Sequence, residues 1–199
     1  MRIALMLCAM TSVAVALAAG GGDTGIGTRA DAAALQQKLI QIANNGLAAK
    51  PAPKQTAVTE REVNAYLRAH EQDGLPQGVV DPVVTILPDG RLQGRATVDL
   101  DQVRTAKDRG MMSPWTLLRG RLPVEAVGVL RTGKGVGAFT LESATIGGVP
   151  VPTSVLHELV SYYTRGPAQP AGVNFEAPFR LPAGIREIHT ALGQATVVQ

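Results

Sequence analysis

The chain of 199 residues contains one cysteine, Cys8. A single thiol closes no intramolecular disulfide and builds no cysteine-based zinc site, so the fold must be held by its core. Aromatic residues are also scarce: three Phe, three Tyr and one Trp. Charged residues make up only 18%, the formal net charge is +3, and no Lys/Arg run of the kind used by nucleic-acid arms occurs. Nucleic acid is therefore not an expected partner. His70, His157 and His189 lie far apart without metal-ligand spacing, and no metal or cofactor is expected.

What the chain does have is an apolar, heavily punctuated composition. Apolar residues reach 45%, with 22 Gly and 13 Pro, so a core of Val, Leu, Ile and Ala is cut into short elements by many turns. The opening "MRIALMLCAMTSVAVALAAGGG" carries Arg2, then no charge from Ile3 to Ala18, then Ala16-Leu17-Ala18 as a small-x-small site. It reads as a signal peptide over residues 1–18, cleaved near Ala18. Retention as an anchor is the alternative, although the run is at the short edge of the ~17–25 residues a span requires. Leu7 stands before Cys8 where a lipid-modified cysteine needs a small residue. An exported, cysteine-free mature chain suits the bacterial periplasm or cell envelope.

Residues 19–57 read as an N-terminal helix and linker. Leu35, Leu39 and Ile42 form a helical stripe over 31–45, Gly46 stands where a C-cap would, and "AAKPAPKQ" breaks the pattern. Residues 58–199 read as one α+β domain. Thr59 and Glu62 form a capping box for a short helix, Val58 and Val63 its hydrophobic staple, and Val63, Tyr66 and Leu67 its buried stripe. From Val79 the period becomes two. In "RLQGRATVDL", Leu92, Gly94, Ala96, Val98 and Leu100 share one face, and Arg91, Gln93, Arg95, Thr97 and Asp99 the other. A strand with one wet face belongs to an antiparallel sheet. Pro88-Asp89-Gly90, "RTGKG" and "LGQ" mark three hairpins. The expected fold is α+β: a curved antiparallel meander sheet of about seven strands with two or three helices packed on it.

Reactive constellations are missing from this pattern. In "IGGVPVPTSVLHELV", Ser154 lacks a Gly-x-Ser-x-Gly elbow and has no assignable base. The corner reads as a turn that swings a helix onto the sheet, capped by Thr153 or Ser154. Gly133-Lys134-Gly135 lacks the phosphate-loop pattern, and Glu60 and Glu62 sit at a helix N-terminus, where negative charge is favoured anyway. No catalytic residues are assigned and no enzyme activity is expected. One stretch, "RGMMSPWTLLRGR", sets Met111, Met112 and Trp115 among Arg109, Arg119 and Arg121. An apolar tip rimmed with arginine suits an anionic membrane surface; the same apolar residues tucked inward, with solvated arginines, is the ordinary alternative.

The helix "VTEREVNAYLRAH", through Thr59, Glu62, Val63, Asn64, Tyr66 and Leu67, and the closing "FRLPAGIREIHTALGQATVVQ", through Leu181-Pro182, Gly184-Ile185 and its final hairpin, resemble the tubular lipid-binding (TULIP-like) group. That group includes the lipomannan-elongation accessory protein and related exported proteins. The likeness covers Val58 to Gln199. It implies a curled sheet wrapped on a helix, an apolar groove for acyl chains, and no catalytic residues. The candidate lining is Leu92, Ala96 and Val98 from the sheet, Val155, Leu159 and Tyr163 from the helix after the corner, and Phe175 and Phe179. The expected function is non-catalytic lipid or acyl-chain binding in the envelope. The alternative is an interaction module for an envelope protein partner.

Overall fold

A computed structural model describes residues 27–71, 75, 78–99, 120–164, 171–172 and 174–199. The proposed leader and the stretch holding Arg109, Met111, Met112, Trp115 and Arg119 lie outside these residues. No helix among the described residues is long and apolar enough to cross a membrane.

The chain enters α1 (Arg29–Leu47) through a capping box: Thr28 Oγ1 accepts the Asp31 N–H, and the Asp31 carboxylate accepts the Thr28 N–H. The helix outruns the expected 31–45 and ends at Ala48, whose backbone is extended. Gly46 is therefore inside the helix and does not cap it. A Cβ there would lie 2.3 Å from the Ala183 carbonyl oxygen, so glycine serves close approach rather than a left-handed turn. The segment expected to be a linker closes with a strand, β1 (Gln55–Thr59). Thr59 and Glu62 then form the second capping box and open α2 (Glu60–Ala69). The staple residues Val58 and Val63 are both fully buried.

The two boxes interlock. Lys38 of α1 donates to both Glu62 oxygens at 2.7 and 2.9 Å, and Arg61 of α2 reaches Asp31 at 2.9 Å. Each N3 carboxylate thus serves its own helix terminus and the facing helix at once.

The remaining elements are β2 (Val79–Ile86), β3 (Arg91–Asp99), β4 (Arg121–Gly133), β5 (Val136–Ile146), β6 (Val149–Pro150), α3 (Thr153–Thr164), β7 (Phe179–Arg180), β8 (Glu187–Ala191) and β9 (Gln194–Val198). The protein is α+β, with a curled antiparallel sheet and three helices among the described residues. The strands do not form one meander. Six make a sheet ordered β2-β3-β4-β5-β6, with β7 also on β5, and three make a small sheet ordered β1-β9-β8. The last hairpin leaves the main sheet because β1 offers β9 a full five-residue antiparallel partner, Gln55 to Val198 through Thr59 to Gln194.

Turn chemistry sets the hairpins. Asp89 and Gly90 both have positive φ, 59° and 79°, as do Lys134 and Gly135 at 52° and 79°; such pairs match the twist of a two-residue hairpin. Gly90 is doubly constrained, since a Cβ would also lie 2.2 Å from the Leu130 carbonyl oxygen. The corner is a third turn of this kind. Gly147 and Gly148, at 61° and 79°, fold Val149 back onto Ile146, and the first turn of α3 closes on the Pro152 carbonyl. Thr153 and Ser154 therefore lie within that turn and are not its cap.

The small sheet and the first two helices meet the hairpin end of the large sheet. Leu35 and Ile42 of α1, Val63 and Leu67 of α2, Ile86, Leu130, Ile188 and Val197 form one buried cluster. The N-terminal helix therefore shares its core with the strands. Thr132 stitches the sheets: its hydroxyl donates to the Ile188 carbonyl at 3.0 Å and accepts the Ile188 N–H at 2.8 Å.

Candidate functional site

Alternation along β3 continues across the sheet. Leu92, Gly94, Ala96 and Val98 face Gly128, Ala126, Val124 and Leu122 of β4. The β4 residues Gly128, Ala126 and Val124 in turn face Leu141, Ala144 and Ile146 of β5. Directly paired residues point to the same side, so these rows make one apolar face. A bulge holds it together. The register shifts between Val127 and Gly128, leaving Glu142 as an extra residue on β5; without it Ala144 and Ile146 would turn to the opposite face. That opposite face is polar. Gln93 hydrogen-bonds Glu125, and Arg91 pairs with Glu142 at 2.9 Å.

The apolar face divides in two. At the hairpin end Ile86, Leu130 and Leu141 are buried, with Leu92, Phe139 and Phe179 packed against the core. Toward the other end Gly94, Ala96, Val98, Leu122, Val124, Ala126 and Ile146 are only half-buried. Between these halves runs a cross-strand row of small residues, Gly94, Ala126 and Ala144. A Cβ built on Gly94 meets nothing within 4 Å and Ala126 is half-buried, so among the described residues the space is open over the β3 and β4 part of this row, while Ala144 at its β5 end is buried. α3 packs beside β5, with Val155, Leu156 and Val160 half-buried.

The structure distributes the sequence candidates unevenly. Ala96 and Val98 lie on the open half of the face, and Leu92 marks its junction with the core. Val155 is in the first turn of α3. Leu159 and Tyr163 lie on α3, but their side chains fall outside the described part. Phe179 belongs to the core end, its ring 2.7 Å from where a Cβ on Gly137 would stand. Phe175 sits in the turn after α3, tilted against His157 with centroids 4.7 Å apart. Arg121, expected at a membrane rim, is the first residue of β4 and pairs with Asp99 at 3.2 Å. Asp99, expected on the wet face, is 9% exposed. The small-residue floor was missed. Its signal was in "RLPVEAVGVL", where Leu122, Val124, Ala126 and Gly128 alternate with Arg121, Pro123 and Glu125.

The motif helix has a structural explanation. Asn64 Nδ2 donates to the Val84 carbonyl at 2.9 Å and Oδ1 accepts the Val84 N–H at 2.8 Å. Glu60 accepts the Ile86 N–H at 2.8 Å, and the Gly193 N–H reaches the Ile86 carbonyl at 2.8 Å. These groups cover the outer edge of β2, the place where an uncovered strand would recruit another chain. Elsewhere His157 lies 2.8 Å from Asn174 Oδ1 and 3.9 Å from Glu176, which ties α3 to the following turn. No group of three His, Cys, Asp or Glu among the described residues is arranged to hold a metal.

Fold and face together define an α+β protein with a half-covered apolar sheet. No family model, curated protein or solved structure matches the chain.

Proposed function

We propose that this protein is an exported envelope protein that holds the acyl chain of a lipid on the half-covered apolar face of its large sheet, without catalysing a reaction. The observation that carries this is the space left open over Gly94 and Ala126, set in a face continuous with the core through buried Ala144. Each methylene removed from water contributes ~0.8 kcal/mol, so about ten give ~8 kcal/mol if fully covered and about half that if one side stays wet. Lost ligand freedom costs at least ~4 kcal/mol, which takes at least half of the full gain and cancels the one-sided one. A bare sheet is therefore a weak binder, and α3, already packed on β5, supplies the second wall. The resemblance of Val58 to Gln199 to tubular lipid-binding proteins points the same way.

Gly94→Leu tests the reading. The space above Gly94 is open and strands disfavour glycine, so the variant should fold at least as well as wild type. It should lose bound lipid in extracts analysed by mass spectrometry, and bind a fluorescent fatty acid at least tenfold more weakly. Arg95→Ala, on the opposite face, should change neither. A lipid-free wild type that ignores fatty acids, or a Gly94→Leu protein that binds as well as wild type, removes the proposal. The alternative, a module for an envelope protein partner, draws on α1, which turns Ile40 and Leu47 outward at 52% and 85% exposure. It is favoured if a stoichiometric partner is retained by Gly94→Leu and lost with Ile40→Glu.

A further inference from the structure

The opposing ends of α1 and α2 border an open depression of about 460 Å³. Its floor is alanine, with Ala32 and Ala65 buried, and Arg29, Arg68 and His70 stand around it. The carboxylates carried by the helices beside it are already committed: Glu71, next to His70, accepts the Asp81 N–H at 2.9 Å. Asp31 holds the Thr28 N–H and Arg61, and Glu62 holds the Thr59 N–H and Lys38. Among the described residues neither Arg29 nor Arg68 has an ion-pair partner. His70 is held in place: its ring stacks on Tyr66 at 4.1 Å, and Nδ1 lies 3.0 Å from the Tyr66 carbonyl oxygen. A carbonyl only accepts, so Nδ1 carries the proton and the Nε2 lone pair is left to accept from a P–OH group of a ligand.

An uncompensated pair of guanidinium groups beside an oriented imidazole suits a tetrahedral oxyanion. Arginine offers a planar fork of N–H donors that matches phosphate oxygens, and an alanine floor leaves room for the ligand to settle between the helices. We infer that Arg29, Arg68 and His70 bind a phosphate group, either free or at the end of a phospholipid. The site is separate from the apolar face and stands or falls independently of it.

Two arms distinguish the sources. In the first, inorganic phosphate is titrated into isotope-labelled protein at constant ionic strength, with chloride as control. Saturable shifts confined to Arg29, Arg68, His70 and their neighbours, weakened at least tenfold in Arg29→Gln/Arg68→Gln, assign the site to free phosphate. In the second, phosphatidate-containing vesicles are compared with phosphatidylcholine vesicles by flotation. Binding that requires phosphatidate and is lost in the double variant assigns it to a headgroup. Both arginines are exposed, so the variant should keep its wild-type circular dichroism. If neither phosphate nor phosphatidate gives a saturable response, or if the double variant responds like wild type, the site does not exist.

Discussion

Replacing Asn64 by alanine separates a packing role for the motif helix from an edge-covering one. The Asn64 amide meets both backbone groups of Val84, at 2.9 and 2.8 Å, as a neighbouring strand would. A side chain this short leaves little packing to lose, so the hydrogen bonds should dominate. Each contributes about 0.5–1.5 kcal/mol net where water can replace it, and about 1–3 kcal/mol where the group left behind stays dry. Val84 is half-buried and packs against the core, so a total near 2 kcal/mol is expected. With a urea slope of about 1–3 kcal/mol/M for small proteins, the midpoint should fall by about 1 M at unchanged slope. Asn64→Asp keeps an acceptor for the Val84 N–H but sets a carboxylate against its carbonyl, and should cost at least as much. Hydrogen exchange at Val84 should quicken, while Val127 and Val129, inside the sheet, stay protected. A loss below about 0.5 kcal/mol in Asn64→Ala, with Val84 still protected, would refute the edge-covering role.

Two other substitutions probe the remaining polar groups of the helical layer and small sheet. Thr56 is 7% exposed and its hydroxyl has no partner among the described residues; Thr56→Val keeps the branched shape and removes the unsatisfied oxygen, so thermal unfolding should shift upward by an amount corresponding to about 1 kcal/mol. The Asp31 carboxyl is held below its ordinary value of 3.8, first by the Thr28 backbone and side-chain hydrogen bonds and then by Arg61. A lowered folded-state value means that its contribution is complete above 3.8 and is lost as the pH falls through the folded value. Wild type should therefore lose melting temperature in this acid range faster than Asp31→Asn, and parallel curves would rule out Asp31 as a source of acid sensitivity.

Local features were legible in the sequence because their causes are local. Thr59 and Glu62 specify a capping box three residues apart, and the Asp89-Gly90 and Lys134-Gly135 pairs specify tight turns, whatever the rest of the chain does. The alternation of Leu92, Gly94, Ala96 and Val98 gave the apolar face of one strand. Pairing at a distance was not legible. Nothing in "QTAVT" announces that it will join Val198 and its neighbours, and so the small sheet was read as part of a meander. Gly46 looked like a helix end because glycine usually marks one, whereas here it answers to Ala183 from the far end of the chain. Glu142 is the subtlest case. Strict alternation in "VGAFTLESATI" would turn Ala144 away from Leu141, and only pairing with β4 reveals the bulge that keeps both on one side. The candidate site was half legible for the same reason: its strand residues follow a period, but its floor exists only where three strands are in register.

The placement of polar groups says where function should be sought. Antiparallel sheets expose two kinds of unsatisfied surface, edges and faces, and this chain treats them differently. The outer edge of β2 is answered by Asn64, Glu60 and Gly193, and that of β8 by the Thr132 hydroxyl, with backbone groups met at 2.8 to 3.0 Å. Strand addition at either edge would have to displace these bonds before gaining any, so recruitment of an extended peptide there is disfavoured. The face receives no comparable closure among the described residues. Its far half remains half-buried, and Gly94 and Ala126 in its middle row carry side chains too small to fill the space above them. Larger residues at Gly94 or Ala126 would extend the core at ~25 cal/mol per Å² of apolar surface buried, and the chain forgoes that stabilisation. A β2 edge sealed by hydrogen bonds beside a face left underfilled is what an apolar ligand requires: no strand competing at β2, and room that only something without polar groups can occupy at no desolvation cost.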